Sequence, residues 1–396
     1  MAIDLHYTDE QRAFRAEVRA WMEANVPSTP LETLEGAKGF AQHREWERTL
    51  ARGDFGMVTW PRRYGGRGAD LIDWLIFEEE YYRAGAPLRV NQNGIFLLGP
   101  TLMEFGSEAQ KARYLPRMAS GEEIWAQAWS EPQAGSDLAA LRASAARDGD
   151  HYVLRGHKIW SSRATFADWC FGIFRTDPAS TRHKGLTFIL APLRAPGVRV
   201  RGIRQIHGEP GFAEIFFDEA RVPVENRLGE EGQGWQIAMA TAGFERGLML
   251  RSPARFQSTA QKLIELYRRR ARHCEASTGA AVAQAWMDAE AYALRTYMTA
   301  SRIAAGAAIG VEASVNKIFW SELDLAMHRT AQSILGAHAE LLGGGAAGRA
   351  AAALDARDSG HWLEGFMFSL AGPIYAGTNE IQRNIIAERL LGLPRG

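Results

Sequence analysis

Cysteine is nearly absent: Cys170 and Cys274 are the only two in 396 residues. Two thiols so far apart in sequence make neither a CxxC redox pair nor a disulfide framework, and this usage suits a reducing cytoplasm, where the chain is expected to reside. Net charge is absent as well. Lys plus Arg and Asp plus Glu both number 46, so there is no basic field to draw nucleic acid. No apolar run approaches the roughly 20 residues that a bilayer span requires. The opening MAIDLHYTDEQ lacks a basic segment followed by an apolar one, so no secretory signal is expected. The ten histidines form no HExxH and no His–acid pair at ligand spacing, which argues against a metal site. Internal repeats and long linkers are missing too.

What remains is an ordinary globular composition, 46% hydrophobic and 23% charged, in a chain long enough for two or three cores. Its texture changes twice. Residues 1–122 read as helical. Thr8 followed by Asp9-Glu10-Gln11 is a capping box, and Phe14, Val18, Trp21 and Met22 repeat at helical spacing behind it. Further helices are expected from Gly39 to Arg52, from Asp70 onward, and after the capping box Ser107–Gln110. Residues 123–233 change to short runs rich in β-branched and aromatic residues, such as HYVLRGHKIW, GLTFILAPL and AEIFFDEARV. With no helices between them, these predict a small β-barrel or sandwich, with a hairpin turn at Asp148-Gly149. Residues 234–396 return to long Ala-rich helical segments near 235–270, 280–306, 310–342 and 378–391, enough for a four-helix bundle. The fold class is therefore α+β multidomain, in the order all-α, all-β, all-α.

Several motifs are misleading. Gly343, Gly345 and Gly348 spell GxGxxG, but among helices and without a preceding strand they predict a loop, not a nucleotide site. Ser314–Lys317 has SxxK spacing without its companion motifs and reads as a solvent-facing turn of helix. The arginines at 268, 269, 270 and 272 suit a helix C-terminus, and four guanidinium groups also suit phosphate. On composition alone Trp129 and Trp160 read as core aromatics, and Glu245-Arg246 as a surface charge pair.

Four segments change those readings: AQAWSEPQAGSD (126–137), GHKIWSS (156–162), FFDEARVPVENRLGEEGQGW (216–235) and IYAGTNEIQR (374–383). Together, and in this order, they resemble the signatures of the FAD-dependent acyl-CoA dehydrogenases. The resemblance implies α,β-dehydrogenation of an acyl-CoA thioester to the trans-2-enoyl-CoA, with hydride passed to FAD and electrons to an electron-transferring flavoprotein. It implies that Trp129 and Ser130, and Trp160 and Ser162, line the flavin, and that Gln332, Thr378 and Glu380 touch FAD. It places Ser136, Tyr375 and Gly377 along the acyl-CoA path. A flat ring with polar edges calls for such aromatic walls and a few fixed donors.

A glutamate often fills position 376 in this family, and here it is Ala376. The backbone N–H at 376, which the resemblance assigns to the thioester oxygen, survives that change. In some branches of the family the base stands on the first helix of the C-terminal domain, before an arginine. Gly243-Phe244-Glu245-Arg246 matches that place, so Glu245 is the expected base and Arg246 its neighbour. The chain departs from the family where an R-x-x-F-G segment would meet FAD, and at Ala337 in the segment beginning Gln332, Leu335, Gly336. Such departures accompany heterotetramers, so both a homotetramer and an α2β2 assembly with a related chain fit. An oxygen-using flavin oxidase or monooxygenase on the same fold, and a non-catalytic partner subunit, are the other readings.

Overall fold

The computed structural model describes residues 7–245, 252–307, 310–340 and 354–394, with the backbone alone for Glu245 and residues 354–361. The Gly343–Gly348 motif and Arg246 lie outside the described residues. The chain falls into two compact units. A sheet-bearing unit comprises Glu17–Trp74 and Ala84–Glu245, and a bundle unit comprises Met1–Ala16, Leu75–Arg83 and Arg246–Gly396.

The N-terminal helices are α1 (Asp9–Asn25), α2 (Ala37–Arg52), α3 (Leu71–Arg83), α4 (Gly99–Phe105) and α5 (Glu108–Ala119). Their starts follow the expected side chains. The Thr8 hydroxyl accepts from the Gln11 N–H while Gln11 accepts from the Thr8 N–H. Asp70 Oδ1 caps α3 by accepting from the N–H groups of Ile72 and Asp73. Ser107 and Gln110 form the reciprocal box at α5. A π-helical turn, Asn93–Leu98, precedes α4. The sequence gives no sign of that turn.

Eight strands follow: β1 (Trp125–Ala128), β2 (Ser144–Asp148), β3 (His151–Ser162), β4 (Trp169–Arg175), β5 (Leu186–Pro192), β6 (Val198–Ile203), β7 (Phe212–Pro223) and β8 (Arg227–Leu228). They run in the order β6-β7-β3-β2-β4-β5-β8, with β1 added in parallel against β4. The hairpin between β2 and β3 pairs Asp148 with His151, so its turn residues are Gly149 and Asp150, one position later than expected. Gly149 alone has positive φ there (61°), the glycine-first geometry of a two-residue hairpin. One face of the sheet holds the core. Tyr152 and Leu154 of β3, Cys170 and Phe174 of β4, and Ala213, Ile215, Phe217, Ala220 and Val222 of β7 bury there, in period-two alternation that breaks once in β7, where the β3–β7 register shifts between Phe217 and Ala220. Burial pushes the Cys170 thiol up to about 12, so it serves as a small apolar filler.

The helix expected over 235–270 is two helices, α6 (Gly234–Glu245) and α7 (Pro253–Arg270). Pro253 takes the first position of α7, where its fixed φ and missing N–H suit a helix start. α6 packs on β4, β5, α4 and the π-helical turn, inside the sheet-bearing unit. The bundle unit holds α7, α8 (Ala276–Ala304), α9 (Glu312–Leu335), α10 (Leu354–Ser369) and α11 (Asn379–Arg389). α9 is its centre and packs against α7, α8, α10 and α11. Phe256, Ala260 and Leu263 of α7, Ala285, Ala289 and Tyr292 of α8, and Trp320, Leu323 and Met327 of α9 share one core. Each large side chain buried there contributes about 1.5–3 kcal/mol. Ser314 and Lys317 are buried in α9, not solvent-facing, because Lys317 Nζ reaches Asn379 Oδ1 at 2.7 Å. Among the described residues no helix is long and apolar enough to cross a membrane, and no three His, Cys, Asp or Glu side chains group as metal ligands.

Candidate active site

The expected site residues fall into two groups, one in each unit. In the sheet-bearing unit Trp129 and Ser130 follow directly on β1, and Trp160 and Ser162 stand at the end of β3. Backbone hydrogen bonding joins the two segments, since the Ile159 N–H donates to the Ser130 carbonyl at 2.9 Å. Trp129 is buried edge-on against Phe171 and Phe188. Trp160 is 58% exposed and sits at positive φ (61°), where the β3–β7 register slips between Lys158 and Ser161. Such a slip re-aims a side chain. It turns one tryptophan outward while its neighbour two residues back stays under the sheet.

That neighbour, Lys158, is fully buried. Its ammonium donates to the Trp129 carbonyl (3.1 Å), the Ile173 carbonyl (2.8 Å) and Glu131 Oε1 (2.8 Å), using all three hydrogens. Glu131 in turn accepts from the Arg142 and Ala143 N–H groups at 2.7 and 2.9 Å. Burial raises the Glu131 carboxyl, but the charge and hydrogen bond of Lys158, with those two N–H groups, hold it below the usual carboxylate range. For Lys158 burial lowers the ammonium and outweighs the pull of Glu131. Both residues stand inside quoted motifs, SEPQ and GHKIW, yet the pair could not be read from them. Ser136 is exposed two residues after the turn that Glu131 and Ala134 close with reciprocal backbone hydrogen bonds. Glu245 is the last residue of α6.

In the bundle unit Tyr375 stacks on Trp320 with ring centroids 5.9 Å apart and tilts against Phe368. Ala376 and Gly377 both have positive φ, 59° and 75°. Thr378 caps α11 by accepting from the Ile381 N–H. The carboxyl of Glu380, in the first turn, is lowered by its own backbone N–H and the Thr378 hydroxyl. Among the described residues no acceptor takes the N–H of Ala376, Gly377 or Thr378. Gln332 is not brought to this turn. It stands fifteen residues along α9 from Lys317, which touches Asn379, a separation of about 22 Å at helical rise. The arginines at 268–272 close α7 and the short turn after it, with Arg268, Arg269 and Arg272 exposed.

The residues present fit a flat, hydrogen-bonding cofactor. Trp129 Nε1 and Gln332 Nε2 are buried donors without a partner among the described residues, and a buried unpaired donor calls for a ligand or water. Three free backbone N–H groups leading into a helix N-terminus favour a partial negative charge. The class these features define is a protein of helix–sheet–helix build with an exposed tryptophan on its sheet and a donor-rich turn at a helix start.

Comparison with known proteins gives the family. Models of the acyl-CoA dehydrogenase N-terminal, middle and C-terminal domains match residues 8–122, 126–220 and 232–391. Acyl-CoA dehydrogenase IpdE1 of Mycobacterium tuberculosis is 38% identical over 390 residues, 96% of this chain and 97% of that protein. Acyl-CoA dehydrogenase FadE26 of the same organism is 32% identical over 99% of both chains. Among solved structures, the Tcur3481-Tcur3483 steroid ACAD matches with TM-score 0.84 at 27% identity, covering 99% of this chain and 100% of that one. The ChsE4-ChsE5 complex from Mycobacterium tuberculosis matches with TM-score 0.82 at 31% identity, covering 99% and 100%. The chain belongs to the acyl-CoA dehydrogenase family. It is an enzyme, a flavoprotein oxidoreductase of acyl-CoA metabolism.

Proposed function

We propose that the chain removes an α-proton and a β-hydride from an acyl-CoA thioester, leaving the trans-2-enoyl-CoA, with Glu245 as base. The observation that carries this reading is the tail turn. Ala376 carries no carboxylate, and its N–H, on a backbone of positive φ, meets no acceptor among the described residues, so the turn offers an oxyanion donor and the base comes from elsewhere. Bound FAD supplies the hydride acceptor. The chain's own residues do the rest. Glu245 takes the α-proton while the Ala376 N–H receives the thioester oxygen, on which charge develops as the Cα–H bond breaks. Arg246 orients Glu245. Trp129, Ser130, Trp160 and Ser162 hold the ring and keep water from it, and Gln332, Thr378 and Glu380 hold the remainder of FAD. Ser136, Tyr375 and Gly377 guide the thioester.

Likeness to a complex of two named chains and to a steroid ACAD supports assembly with a related chain and a bulky, ring-bearing acyl group. An electron-transferring flavoprotein is the proposed acceptor, in the cytoplasm. The test is anaerobic mixing of the flavin-loaded enzyme with linear, branched and ring-bearing acyl-CoA thioesters. Bleaching of the flavin with formation of one enoyl-CoA per flavin is expected, strongest with the ring-bearing thioesters. No bleaching with any thioester, with or without a related chain, contradicts the reading. Turnover that consumes dioxygen without a carrier would reassign the chain to an oxidase.

A further inference from the structure

We propose that Gln382 is the positioning residue that sets the Ala376–Gly377 turn, and through it the turn's capacity to hold an oxyanion. The inference rests on the reading above that the Ala376 N–H receives the thioester oxygen. Alanine is disfavoured in the left-handed region and stays there only when its surroundings hold it. Here one side chain bonds both carbonyls of the turn. Gln382, 1% exposed in α11, donates from Nε2 to the Ala376 carbonyl at 3.2 Å and to the Gly377 carbonyl at 3.1 Å. Both partners are acceptors, so the amide nitrogen has to face them, and no carboxylate or thioether can replace it. Gln382 Oε1 is buried with no partner among the described residues, so the side chain gives up its own acceptor to keep both donors on the turn.

The consequence follows from peptide planarity. A carbonyl and the N–H that follows it lie in one plane and point in opposite directions. Drawing the Ala376 and Gly377 carbonyls toward α11 turns the Gly377 and Thr378 N–H groups away from it. It also fixes one of the two peptide planes that meet at Ala376, and φ and ψ of Ala376 then set the other, which carries its own N–H. Position 377 is fitted to the same amide, because a Cβ there would lie 2.5 Å from Gln382 Nε2. Plain helix capping does not account for Gln382. Thr378 already caps α11, and the Asn379 N–H already donates to the Pro373 carbonyl at 2.8 Å.

The experiment uses flavin-loaded enzyme and a panel of 3-thia-acyl-CoA thioesters, which can lose the α-proton but offer no β-hydride. The readout is the pH midpoint at which the bound thioester ionises, followed by its long-wavelength absorbance beside the flavin. Gln382→Met is expected to keep its flavin and circular dichroism, to raise that midpoint by about one unit, and, with an ordinary acyl-CoA thioester, to lower kcat about tenfold with little change in KM, a part of the loss seen when an oxyanion donor is removed outright. Gln382→Asn, whose shorter arm reaches at most one carbonyl, is expected to shift the midpoint less, and it serves where the Met variant does not fold. Gly377→Ala is expected to shift it at least as far. An unchanged midpoint in the Gln382 variants beside a shifted one in Gly377→Ala overturns the role of Gln382 alone. Unchanged midpoints in all three overturn the reading of Ala376 as well.

Discussion

The tryptophan-bearing segments of the sheet unit and the tail turn of the bundle unit face one requirement, a backbone held in an unfavourable conformation. They meet it by different physics. Trp160 and Ala376 both sit at positive φ. Two residues before Trp160 on the same strand stands one half of a buried ion pair, Lys158 with Glu131, which ties that strand to the Trp129 carbonyl. Behind Ala376 lies one neutral amide donating two hydrogen bonds. Breaking a buried ion pair by removing one partner costs about 3–5 kcal/mol, whereas a neutral hydrogen bond contributes about 0.5–1.5 kcal/mol net. The first arrangement ties its segment to global stability. The second leaves its turn adjustable at small cost, which suits a group that meets the substrate.

Three perturbations sharpen that contrast. Lys158→Met should lower the unfolding free energy by about 3–5 kcal/mol in chemical denaturation, because it strands the Glu131 carboxylate in the interior. The double variant Lys158→Met, Glu131→Gln should recover most of that loss. If the single variant unfolds like wild type, the pair does not anchor the sheet segment. The second effect is on pH. Glu131 is held below the usual carboxylate range, so its contribution is complete above the unfolded value of about 4.3 and is lost as pH falls through the folded value. Wild type should therefore lose stability more steeply than Glu131→Gln below about pH 4. Parallel slopes would break the argument. The smallest effect is at Trp160, which is 58% exposed. Trp160→Ala should change unfolding by no more than about 0.5 kcal/mol while weakening FAD binding to apoprotein up to about tenfold, the scale of one aromatic contact. A large stability loss with unchanged FAD affinity would make Trp160 a structural residue.

Legibility in the sequence followed the range of the interactions. The change of texture from helix to sheet to helix was plain, because patterning reports local structure. The capping boxes at Thr8 and Ser107 and the helix start near Asp70 were plain for the same reason. What escaped was of two kinds. α10 carries Ser359-Gly360 in its interior, and that pair hid a helix whose support is tertiary, through α9. The break before α7 has a local signal, Pro253 at a helix start, within a segment whose composition reads as continuously helical. The Lys158–Glu131 pair is 27 residues apart in sequence and depends on strand adjacency, which no single sequence displays. Gln382, five and six residues from its two partners, was within local reach. A non-glycine before Gly-Thr at a helix start was the signal.

Assignment of the base is the central claim, and flavin reduction in Glu245→Gln tests it most directly. Flavin-loaded wild type and variant would be mixed anaerobically with the thioester that bleaches wild type best, and the fast phase followed in the visible. The account predicts full flavin content in the variant and a reduction rate lower by about 10²–10⁴-fold, the range of a lost general base. Reduction at the wild-type rate would show that the α-proton leaves by another route.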